Sequence, residues 1–200
     1  MTDARDQILG RVRRALAAAD VSPVHVPRGY RSTGPADVDL FAERVADYRA
    51  VVVRCGEHEV EARIAEALPP HARVVVPEGL PWDVPGAVPD RDGDGVLTAL
   101  HLDGLDAVVT AATVGVAATG TIVLSHGPGE GRRALTLVPD LHVCVVRADQ
   151  VVTDVPDAVA LLDAGRPTTW ISGPSATSDI ELNRVEGVHG PRTLHVVLVG

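Results

Sequence analysis

Lysine is absent from this chain: all 18 basic residues are arginine. No Schiff-base chemistry and no Walker-type phosphate loop can therefore run on it. Aromatic residues make up only 2% against 46% hydrophobic residues, so the core must be built from Val, Leu, Ala and Ile. Cysteine is nearly absent too. Cys55 and Cys144 stand alone, outside any Cys-x-x-Cys, which predicts two buried reduced thiols and leaves too few ligands for an iron–sulfur cluster. Positive charge is in deficit, with a net charge of −9, which argues against nucleic-acid and anionic-membrane surfaces. No apolar run approaches the roughly 18 residues of a membrane span, and no apolar signal core follows Met1, so a cytoplasmic location is expected.

What is present reads as one α/β domain behind an arm. Residues 3–19 have Ile8, Leu9, Val12 and Leu16 on one helical face, and a proline-rich connector runs on to Pro35. Residues 1–35 are thus an N-terminal helical arm and 36–200 the domain, with no internal repeat. Asp37 caps a helix carrying Val38, Phe41, Val45 and Tyr48. The run Val51–Val53, the helix Glu57–Leu68 and the run Arg73–Val76 form a strand–helix–strand unit. Its uninterrupted β-branched strands predict a mostly parallel sheet flanked by helices in three layers. Further strands are expected at 106–111, 113–125 (a hairpin), 135–138, 142–146, 169–172 and 194–199, with a helix over 155–164.

Several stretches could carry chemistry. Asp90-Arg-Asp-Gly-Asp-Gly95 begins like a calcium loop, but its last position calls for glutamate and holds His101; an acidic solvated loop is the expectation. No histidine pair has metal-ligand spacing, so no metal site is expected. Gly127-Pro-Gly-Glu-Gly-Arg132-Arg133 is either an oxyanion cradle or a hairpin tip with solvated arginines. The stretch Ile171–Pro191 packs hydroxyls, turn formers, Asp179 and His189 between two strands, as a ligand-facing loop would. Ser178 and Glu181 have capping-box spacing. Ser175, His189 and Asp179 could be written as a hydrolase triad, but no Gly-x-Ser-x-Gly elbow supports it. His189 faces a ligand or bonds a local carbonyl, and His142, opening an apolar strand, reads as a satisfied semi-buried histidine.

Four blocks in order carry a resemblance over almost the whole chain: Ala118-Thr-Gly-Thr-Ile-Val-Leu124, Arg133-Ala-Leu-Thr-Leu-Val-Pro-Asp-Leu-His142, Gly173-Pro-Ser-Ala-Thr-Ser-Asp-Ile-Glu181 and Gly187-Val-His-Gly-Pro191. Together they resemble the LUD-domain family, and within it the lactate utilisation protein C group. The resemblance implies a NagB/RpiA/CoA-transferase-like fold and a part in oxidising L-lactate to pyruvate. It also implies iron–sulfur partner proteins that supply the redox centre, with no cofactor held by this chain alone. The positions matching the family motifs are Thr119, Gly120, Thr121, Gly173, Ser175, Thr177, Asp179, His189 and Gly190. With Arg132 and Arg133 from the glycine-rich turn, these are the residues expected to meet a small anionic ligand or a partner. Ala118 stands where the family usually has glutamate, which removes the natural nucleophile for acyl transfer. The alternative is a stand-alone transferase- or ligase-like enzyme, or a binding protein, for a phosphorylated, CoA- or folate-like ligand.

Overall fold

A computed structural model of the chain describes residues 4–20, 22–27, 29–30, 34–92, 95–174, 176–177, 185–186 and 190–200, with residues 92, 176–177 and 185–186 described as backbone alone. Residues 1–31 and 32–200 are separate units. In the first, α1 (Ala4–Leu16) carries Asp6 in its first turn and Arg13 and Arg14 in its last, the arrangement that suits the helix dipole. It buries none of its residues; Ile8, Val12 and Leu16 form an exposed apolar row.

The second unit begins at α2 (Val38–Asp47), whose first turn is closed by the Asp37 carboxylate accepting from Leu40 N at 2.9 Å. The strands β1 (Val51–Cys55), β2 (Val74–Val76), β3 (Val88–Pro89), β4 (Arg91–Asp92), β5 (Gly95–Val96), β6 (Ala107–Thr110), β7 (Val114–Val116), β8 (Thr121–Leu124), β9 (Leu141–Arg147), β10 (Val151–Val152), β11 (Thr169–Ile171), β12 (Ala176–Thr177), β13 (Val185–Glu186) and β14 (Thr193–Val199) follow. The six-stranded sheet β1-β14-β9-β6-β2-β3 is parallel throughout. Parallel strands buried on both faces need apolar side chains on both, and Val143, Cys144, Val145 and Val146 in β9 show that pattern.

Alternation along these strands separates two cores. On one face, Val143, Val145, Val197 and Val199 pack with Val60 and Ile64 of α3 (Val60–Ala67). On the other, Cys144, Val146, Val196 and Leu198 pack with Phe41 and Val45 of α2 and with Ile122 and Leu124 of a second, smaller sheet, β10-β7-β8-β11. The outer side of that small sheet is covered by Ala158 of α5 (Val155–Leu161). The three-layer, mostly parallel α/β expectation is what the chain adopts.

Two details differ from the sequence reading. The strands of the strand–helix–strand unit share the sheet but are not neighbours, because β14, β9 and β6 insert between β1 and β2. Residues 135–138 are not a strand: Arg133–Thr136 is a 3-10 helix, held by the Arg133 guanidinium donating to the Thr136 carbonyl at 2.9 Å while Leu135 drops into the core beneath Leu102 of α4 (Ala99–Asp103). Short apolar runs do not distinguish a strand from a tight helical turn.

Strand order places the functional end. From β1 at one edge the chain crosses to β2, steps outward to β3, then returns through β6, β9 and β14. Ligands of open parallel sheets sit beyond the carboxyl ends of the strands, where strand order reverses. Here that is the end of β2 and β3, beside the loop that leaves β8.

Candidate functional site

Thr119, Gly120 and Thr121 form the turn joining β7 to β8. The hydroxyls are chained: Thr119 Oγ1 is 2.7 Å from Thr121 Oγ1, which is 2.8 Å from Ser172 Oγ. Gly120 has φ +60°, and a Cβ on it would lie 2.6 Å from the Arg44 carbonyl carbon. Gly173 has φ +82°, and a Cβ there would lie 2.6 Å from Tyr48 Cβ. Both glycines are therefore required by the close approach of their turns to the end of α2; the space a side chain would fill belongs to the chain itself. Thr177 is described as backbone only, in β12 paired with β13, and Gly190 lies just ahead of β14. Ser175, Asp179 and His189 lie outside the described residues.

Arg132 and Arg133 lie elsewhere. The hairpin turn sits at one end of β8 and Ser125 at the other, roughly 13 Å apart for four extended residues. The Arg132 guanidinium is committed to the Asp90 carboxylate through two 2.8 Å bonds and to the Leu97 carbonyl at 2.5 Å. That pairing, chiefly its side-chain hydrogen bond, raises the arginine pKa. It also engages the first residue of the calcium-like stretch, Asp90, as an ion-pair partner. Arg133 turns back on Thr136. The two arginines thus brace structure, and the turn they close is the wall of a cleft the sequence did not reveal.

That cleft, about 940 Å³, lies at the carboxyl ends of β2 and β3. One wall is the loop after β2 (Pro77, Glu78, Gly79), and the other is His126–Arg132 after β8. Pro89, Arg91 and Val96 complete it. The walls are tied together: Gly129 N donates to the Glu78 carbonyl at 2.8 Å, and Ala111 N donates to the Gly129 carbonyl at 2.7 Å. Beneath the second wall Glu130 is buried, 6% exposed. Its carboxylate accepts from Thr113 Oγ1 at 2.5 Å and from Ser125 N at 2.6 Å, with a longer bond from Gly127 N at 3.4 Å. The loop amides are in this way turned inward, toward Glu130.

His126 enters the loop at φ +56°, a conformation that costs a non-glycine residue energy and persists only where its surroundings enforce it. The enforcement is visible. Nδ1 is 2.8 Å from the Gly131 carbonyl, which can only accept, so Nδ1 carries the proton; Nε2 is 2.9 Å from Thr169 Oγ1. Two arginines border this region without a short ion pair: Arg91 lines the cleft, and Arg166 lies beside Gly127 of its second wall. Arg91 Nε is 3.7 Å from Glu78, with both side chains largely exposed. Arg166 Nη2 comes within 3.6 Å of where a Gly127 Cβ would sit, and its guanidinium has no ion pair or hydrogen bond among the described residues.

The cysteines and His142 are core groups. Cys55 packs on the α3 face of the sheet and Cys144 on the α2 face, so they cannot share a metal or a disulfide. His142 Nε2 is 2.8 Å from Thr110 Oγ1, and the Thr110 hydroxyl donates to Cys144 Sγ at 3.7 Å. Burial, with a smaller repulsion from Arg133, lowers the His142 pKa to about 3; burial likewise raises Cys144 to about 12. The satisfied-histidine reading of His142 holds. Among the described residues no group of three or more His, Cys, Asp or Glu side chains could hold a metal ion. No described helix is long and apolar enough to cross a membrane.

Comparison with known proteins fits this geometry. The LUD domain family model matches residues 98–199, which takes in the His126–Arg132 wall but not the Pro77–Arg91 wall. The chain is 49% identical over 166 residues to lactate utilization protein C of Deinococcus radiodurans, covering 80% of this chain and 78% of that one. Lactate utilization protein C of Bacillus pumilus is 40% identical over 84 residues, 38% of this chain and 35% of the relative. A crystal structure of a DUF162 family protein from Deinococcus radiodurans superposes with a TM-score of 0.69 at 38% identity, covering 81% of this chain and 95% of that one. Sequence and superposition agree, and the chain belongs to the LUD-domain family.

Proposed function

We propose that this chain is a subunit of an L-lactate utilisation system that oxidises lactate to pyruvate together with iron–sulfur partner proteins, and that its carboxyl-edge cleft holds a small anionic ligand. The observation that carries the reading is the 49% identity to a lactate utilization protein C over 80% of the chain. Oxidising a hydroxyl to a ketone releases two electrons and two protons. This chain's only thiols face opposite sides of a sheet, so the electrons go to a centre carried by a partner. The anion is received by Arg91 and Arg166, guanidinium forks suited to a carboxylate.

The test is deletion of the gene in an organism growing on L-lactate, complemented by the wild-type chain and by an Arg166→Ala variant. The expected result is loss of growth on lactate alone, restored by the wild type. Co-purification from lactate-grown cells should bring iron-containing proteins with the chain. Unimpaired growth and unimpaired pyruvate formation in the deletion strain would overturn the proposal.

A further inference from the structure

We infer that the carboxyl-edge cleft is a nucleotide site, built for a phosphate ester carrying a ring and not for a hydroxy acid alone. The inference rests on reading this cleft as an anion site and adds the class of ligand. Size is the first argument. A cleft of about 940 Å³ falls in the range that encloses cofactor-sized ligands, whereas a three-carbon acid would leave most of it as water.

Placement is the second argument. The cleft lies where strand order turns back, past β2 and β3, and its walls come from two loops far apart in sequence, after β2 and after β8, that a ligand can bridge. The third is the division of its surface. Pro77, Pro89, Pro128 and Val96 supply rigid apolar faces for a planar ring, and prolines add no N–H that a ring would leave unpaired. Glu78, 88% exposed at its side chain, supplies an acceptor for ribose hydroxyls or an exocyclic amine.

Phosphate recognition falls to side chains, since the loop amides are already engaged, Ser125 and Gly127 with Glu130, Gly129 with the Glu78 carbonyl, and Glu130 and Gly131 with the Gly127 carbonyl. Arg166 stands over Gly127 with no competing partner among the described residues, and Arg91 is held by Glu78 only at 3.7 Å. Neither guanidinium has a short ion pair to break on receiving a phosphate. Arg132 is not available in the same way, because leaving Asp90 would strand a buried carboxylate. Glu130 puts one negative charge under the loop and Glu78 a second beside Arg91, so Arg91 and Arg166 balance these two carboxylates. The bracing by Glu130, His126 and the Gly129–Glu78 bond means the cleft is formed before the ligand arrives.

The experiment is isothermal titration of the full chain with AMP, ADP, ATP, FMN, NAD and coenzyme A, and separately with inorganic phosphate, L-lactate and pyruvate. At least one nucleotide should bind measurably more tightly than phosphate or lactate. Arg166→Ala and Arg91→Ala should each weaken it by roughly tenfold or more, the loss expected for one charge-assisted contact. Val96→Trp changes an exposed side chain, so the fold should stand; it should block the nucleotide and leave phosphate binding in place. Circular dichroism of each variant checks that it is folded. Arg166-dependent binding of lactate or pyruvate with no nucleotide bound overturns the nucleotide class and leaves the anion site standing. No binding of any probe overturns both. Nucleotide binding unaffected by all three variants overturns the location.

Discussion

His142 should make this protein acid-sensitive in a way one substitution removes. Above pH 6.5 the imidazole is neutral in both the folded and unfolded chain, so it contributes no pH dependence. Below 6.5 the unfolded chain takes up a proton that the buried, folded imidazole refuses until about pH 3. Stability therefore falls as pH drops through that window, by about 1.4 kcal/mol per unit from this group. With a folded pKa of about 3, the loss is about 2 kcal/mol at pH 5 and about 4 kcal/mol by pH 3. Against a typical total of about 5–15 kcal/mol, the pH 5 figure is already large. His142→Gln keeps a side-chain donor for Thr110 and abolishes the titration; its own cost at pH 7.5 should be about 1 kcal/mol. Urea unfolding of both proteins, followed by far-UV circular dichroism at pH 7.5, 6 and 5, separates this group from the carboxylates they share. The wild type should lose about 2 kcal/mol more than the variant between pH 7 and 5. Parallel curves would show that the imidazole is hydrated or protonated in the folded chain, and the reasoning would be wrong.

Gly120→Ala should cost about 2–4 kcal/mol, from a left-handed backbone and a contact with the α2 backbone that no rotamer relieves, read as a lower urea midpoint; a change under about 0.5 kcal/mol would remove the claim that the turn is pressed on α2. Glu130→Ala leaves the buried Ser125 N–H and Thr113 hydroxyl without their carboxylate and should cost about 1–3 kcal/mol, with faster amide exchange across residues 125–131. Both thiols are buried and their pKa values are raised, so the native chain should resist iodoacetamide at pH 8 and take up two equivalents in urea; labelling of the native chain by intact mass would contradict their placement.

The runs 51–53, 74–76, 142–146 and 194–199 were legible because each is β-branched, apolar throughout and bounded by turn residues, which is local information. The 135–138 run has the same local appearance and folds as a helical turn, because an arginine closes it and Pro139 follows. At the site, the Thr-Gly-Thr turn was expected to meet the loop that follows Ile171, and the hydrogen bond to it comes from Ser172, which the sequence did not single out. The signal for the cleft was weaker. Gly127-Pro-Gly-Glu-Gly131 was visible as a glycine-rich turn, but Asp90, Arg91, Glu78 and Arg166 come to it from 36 to 49 positions away from Gly127, and no spacing rule links them.

Composition and periodicity alone therefore determined the class of this protein: an arginine-only, aromatic-poor, acidic chain whose β-branched strands must lie in a parallel sheet covered on both faces. Tertiary structure decided where a ligand can sit. The order of strands in a sheet depends on crossovers that leave no local trace, and that order set the turn holding Arg132 against the loop after β2. It turned the two conspicuous arginines into braces and left the inconspicuous Arg91 lining the cleft and Arg166 beside its Gly127.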